Sequence, residues 1–95
     1  MKITLFAVRH ENKVYEFREP IGIEISKGNG LWCLEYQHLE CFEFDRSRNE
    51  LITCFADSVN FLWMTYAICE DSKLDKGARG LKQKLLKLIT VREMV

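Results

Sequence analysis

Ninety-five residues carry 14 basic and 14 acidic side chains, with 47% apolar and 12% aromatic content. A chain of that size holds one modest core and not two, and its composition lies outside the range of disordered segments. The zero net charge conceals a gradient: residues 1–72 hold 7 basic and 12 acidic side chains, whereas residues 73–95 hold 7 and 2. No apolar run approaches the ~20 residues that span a bilayer, and no basic flank leads into an apolar signal segment. The chain therefore reads as cytoplasmic, and Cys33, Cys41, Cys54 and Cys69 read as free thiols rather than disulfides.

Met1 to Val8 alternates loosely, His10-Glu11-Asn12 breaks the pattern, and Val14 to Phe17 resumes it, which predicts a hairpin. Pro20 removes a backbone donor and holds Glu19 extended, so it is expected to separate this hairpin from the next segment. There Ile21, Ile23 and Ile25 face one way, with Gly22, Glu24 and Ser26 facing the other. Asn29-Gly30 is a strong signal for a two-residue hairpin turn.

Trp32, Leu34 and Tyr36 alternate with Cys33 and Glu35, and Phe42 and Phe44 alternate with Cys41, Glu43 and Asp45. Taking the bulky side of each segment as the core gathers three isoleucines, Trp32, Leu34, Tyr36, Phe42 and Phe44, each contributing roughly 1.5 to 3 kcal/mol on burial. The opposite face is then acidic, carrying Glu24, Glu35, Glu43 and Asp45.

Ser47 and Glu50 have the spacing of a capping box. Ile52, Phe55, Val59, Leu62, Tyr66 and Cys69 recur at three and four, widened by Leu51, Ala56 and Trp63, and predict a helix of about 20 residues. Ser72 with Asp75 resembles a second cap, followed by the stripe Leu74, Ala78, Leu81, Leu85 and Leu88, with Lys82, Lys84 and Lys87 away from it. The chain as a whole reads as a single α+β domain over residues 1–95. Its small antiparallel sheet of four or five strands is covered on one face by a long helix, with a second, basic helix at the C-terminus.

Ile21-Gly22-Ile23-Glu24-Ile25, the Asn29-Gly30 turn, Leu31-Trp32-Cys33-Leu34-Glu35-Tyr36 and the helix from Asn49 onward together cover about half the chain. Their order resembles the HicB-like antitoxin fold, a reduced ribonuclease-H-like sheet. The resemblance implies a non-catalytic domain that neutralises a small basic ribonuclease toxin and is often joined to a separate DNA-binding segment.

The chemistry legible in the residues points to binding rather than catalysis. Carboxylates on neighbouring strands can hold Mg²⁺, but Glu24, Glu35, Glu43 and Asp45 follow no fixed acidic motif, and a solvated face is the simpler expectation. Cys33, His38, Cys41 and Cys54 give only one close pair of ligand spacing, which predicts no metal site, and neither His10 nor His38 has the neighbourhood of a catalytic base. No cofactor is expected. The leading expectation is a protein-interaction domain that meets a basic partner through Glu24, Glu35, Glu43 and Asp45, with exposed strand edges also allowing a homodimer. The second is a small nucleic-acid-associated protein contacting phosphates through Lys82, Lys84 and Lys87.

Overall fold

The computed structural model describes residues 1–94. Five antiparallel strands form one sheet: β1 (Lys2–His10), β2 (Lys13–Gly28), β3 (Leu31–Tyr36), β4 (Cys41–Asp45) and β5 (Ile89–Glu93). Two helices, α1 (Arg48–Leu62) and α2 (Lys76–Leu88), complete an α+β fold. The long strand β2 is its spine. β1 lies along one side of it, while β5 pairs with residues 13–17 and β3 with residues 24–28 on the other.

Pro20 does not divide the chain as its chemistry predicts, because β2 runs straight through it. The register passes from Leu5↔Ile21 to Ala7↔Glu16, so Phe6 alone stands against Phe17, Arg18, Glu19 and Pro20. Pro20 thus sits at an irregularity where β5 has ended and β3 has not begun, and its missing N–H leaves no ladder bond unmade. The bend leaves the alternation intact. Tyr15, Phe17, Ile21, Ile23 and Ile25 are all buried. At the β2–β3 turn Asn29 (φ 53°) and Gly30 (φ 76°) both take positive φ, as a type I′ hairpin requires.

The phase of β4 is the reverse of the one expected. Phe42 and Phe44 are 53% and 62% exposed, whereas Cys41 is buried. The cause lies just upstream, where a 3₁₀ turn over Gln37–Leu39 drops Leu39 into the core and closes on Glu40 in the left-handed region (φ 54°). Chain leaving that turn enters β4 with Cys41 inward, and the pairs Leu34↔Glu43, Glu35↔Phe42 and Cys33↔Phe44 fix the rest. Residues directly opposite in an antiparallel pair share a face, so Glu43 lies on the helix side and both phenylalanines on the open side.

The long helix forms where its periodicity predicts, but its start is chemically different. Ser47 holds the N-cap position without a side-chain cap bond; its N–H instead donates to Asp45 Oδ1 at 2.8 Å, so the Ser47–Glu50 box is not made. Past Leu62 the helix widens into a π turn over Trp63–Ala67, and α1 with this turn buries Leu51, Phe55, Ala56, Val59 and Ala67. Trp63 packs edge-on to Tyr15 (6.1 Å between ring centres), which makes it a core contact. α2 is capped by Asp75, whose Oδ1 accepts from Ala78 N–H at 2.8 Å. The basic helix does not run to the end: the β-branched run Ile89-Thr90-Val91 leaves it directly as β5, with Leu85 and Ile89 fully buried. The strand total of five therefore includes β5, while the two segments flanking Pro20 count as one.

Candidate functional site

The four carboxylates expected on one face are divided between two. Glu24 and Glu35 are cross-strand neighbours on the open side. Glu24 lies 3.6 Å from the N-terminal ammonium, and Glu35 accepts from Gln37 Nε2 at 2.7 Å. Glu43 and Asp45 stand on the helix side, opposite Leu34 and Trp32. Glu43 accepts from the Ser58 hydroxyl, and Asp45 from Ser47 N–H. A single acidic sheet face is not formed, because the inverted phase of β4 carries its two carboxylates to the other side.

On the flank between β4 and α1 the charges are mixed: Arg46 and Arg48 occupy the connection, while Glu43, Asp45, Glu50 and Asp57 lie near Cys54, with Asp57 bonded to His10. The thiol of Cys54, in α1, is raised first by burial and then by Glu43, Asp45, Asp57 and Glu50. Glu50 was legible only as a capping residue and Asp57 not at all. The signal available was their spacing around Cys54, which puts all three on adjoining turns of one helix side.

Apolar groups converge on the same flank. Among the described residues β4 pairs with β3 alone, so its outer edge offers free backbone donors and acceptors. Beside that edge a groove of about 210 Å³ is lined by Leu39, Cys41, Phe42, Phe61 and Leu62, with Glu40 and Glu43 at its rim. Phe61 is 62% exposed there, and Phe42, Phe44 and Leu31 extend the apolar surface onto the open face. Three exposed phenylalanines around one short edge form a patch of the kind that marks interaction sites.

The lysines of α2 do not act as one group. Lys82 Nζ donates to Asp71 Oδ1 at 2.8 Å and to the Cys69 carbonyl at 2.6 Å, which ties the connection between the helices to α2. The Asp71 carboxyl is held below its usual range by that bond and by the Lys82 charge. Lys84 and Lys87 are exposed, but at ~100° per residue Lys84 projects about 160° away from Lys82. Of the three lysines read as a group, Lys82 is thus engaged within the chain.

Cysteine and histidine are similarly dispersed. Cys33 faces the open side, opposite Phe44, and Cys41 the helix side, opposite Tyr36, while His38 stacks edge-on to Tyr36 (6.0 Å). His10 bonds Asp57 at 2.8 Å. Among the described residues no three His, Cys, Asp or Glu side chains converge as metal ligands. Burial, and then Glu43, pushes the Cys41 thiol up to about 11, so it is protonated at neutral pH. The larger cavity, about 500 Å³, lies between the 3₁₀ turn, Tyr66 and the start of α2. It carries His38 and Lys84, but its Asp75 is committed to capping the helix. No helix among the described residues is long and apolar enough to cross a membrane.

Compared with family models, curated proteins and solved structures, the chain finds no match.

Proposed function

We propose that this chain is a non-catalytic protein-interaction domain whose interface is the β4 edge with the apolar corner around it. The observation that carries the reading is the exposure of Phe42 (53%) and Phe44 (62%) on an edge strand of the sheet. Leaving two aromatic rings wet on a free edge forgoes burial worth roughly 1.5 to 3 kcal/mol each and invites pairing with another chain, so their placement favours a partner. Aromatic anchors beside a polar rim are the usual anatomy of such a contact.

The partner this surface favours is basic, since the charged side chains lining the groove beside the edge, Glu40 and Glu43, are both acidic. In its sharpest form the reading is antitoxin-like, with a small basic protein held by the sheet-and-helix unit, in keeping with the HicB-like order of its elements. The test is co-purification of tagged chain from its native cell, comparing the wild type with the double substitution Phe42→Ser, Phe44→Ser. The expected result is loss of the partner with a melting curve displaced little. Retention of the same partner by the double variant overturns the reading.

A further inference from the structure

Three features of the β4 flank meet at one place: an unpaired strand edge, an apolar groove directly beside it, and a rim of carboxylates. A strand added to that edge would bond to its free N–H and C=O groups. Its alternate side chains would fall on the helix side, over the floor made by Leu39 and Cys41 and against Phe61. Side chains of the opposite parity would lie over Phe42 and Phe44 on the open face. The charged side chains that line the groove, Glu40 and Glu43, are both acidic, whereas at the far end of the strand Asp45 is followed by Arg46, and Arg48 and Lys27 lie over the Trp32 ring opposite it.

We infer that the β4 edge takes an extended segment of a basic partner by strand addition, apolar side chains entering the groove beside Phe61 and lysines or arginines meeting Glu40 and Glu43. This rests on the protein-interaction reading and specifies its mode. In the register centred on Glu43, charge opposes a second copy of this chain as the occupant. Two β4 strands pairing about a twofold axis at Glu43 would set Glu43 against its own mate and Cys41 against Asp45, and like charges directly opposite are destabilising.

The experiment uses the full chain and three blocked nine-residue synthetic peptides. One alternates lysine with valine, one has glutamate in place of every lysine, and one has the lysines kept but proline at alternate valines. Titrations are followed by calorimetry and by backbone amide NMR. The lysine peptide is expected to bind at least ten-fold more tightly than the glutamate peptide, with perturbations confined to Cys41–Asp45, Phe61 and Leu62 and with slowed exchange of β4 amides. The proline peptide is expected not to bind. The double substitution Glu40→Lys, Glu43→Lys, verified as folded by circular dichroism, should invert the charge preference, and Phe61→Ser should weaken the lysine peptide without inverting it. Equal binding of the two charges, binding of the proline peptide, shifts centred on α2, no binding at millimolar peptide, or a concentration-dependent dimer built on β4 each overturn the inference. If the peptides fail while Phe42→Ser, Phe44→Ser still releases the cellular partner, strand addition is wrong and the interaction reading stands.

Discussion

β2 and β4 carry the same kind of alternating sequence and use it in opposite ways. In β2 the bulky residues Tyr15, Phe17, Ile21, Ile23 and Ile25 are all inward, and even the bend at Pro20 does not disturb the phase. In β4 the bulky residues Phe42 and Phe44 are outward and a cysteine is inward. The difference shows that alternation fixes the period of a strand but not which side of it meets the core. β2 has neighbours on both sides that hold its phase, whereas β4 is an edge whose phase comes from one short turn and one ladder.

The sharpest test of this contrast compares side chains on adjoining strands and opposite faces. Leu34→Ala, at a fully buried position, is expected to cost about 2–5 kcal/mol in urea unfolding, whereas Phe44→Ala should stay within about 0.5 kcal/mol. A large loss at Phe44 would mean that the open face is not solvent-facing in the folded protein. The two helix starts offer a smaller contrast. Asp75→Ala removes a made cap bond and should cost about 1 kcal/mol, while Ser47→Ala removes no side-chain cap and should be close to neutral.

A further contrast is one of pH and concerns the inward side of β4. The Cys41 thiol titrates at about 11 in the folded chain against an ordinary 9.0, so the unfolded chain releases this proton first. Its contribution to stability is complete below about pH 9 and is lost as pH rises toward 11. Denaturant midpoints measured across that window should fall with pH, and Cys41→Ala should flatten the slope. An unchanged slope in the variant would place Cys41 in water.

Much of the fold was legible because it depends on local chemistry. Asn29-Gly30 sits where only residues tolerant of positive φ fit, and the stripe from Leu51 to Val59 has a helical period at any position in space. The candidate site was legible only in part. Glu24 and Glu35 remain on the open face as read, but Glu43 and Asp45 changed sides when β4 reversed, and Lys82 left the basic surface when it bonded Asp71. Phe61 and the groove beside it had no local signature, since a groove exists only once a helix lies beside a strand edge.

By itself the sequence determined the class of fold, the hairpin turn, the inward side of β2 and the extent of the long helix, each set by period or by backbone preference within a few residues. The tertiary structure alone decided that one strand passes through Pro20, that the segment after α2 runs as β5 beside the start of β2, and that β4 turns its aromatic side outward. Those outcomes depend on which distant segment supplies the next hydrogen bond and which side chain the preceding turn delivers to the core, here Leu39 rather than Phe42.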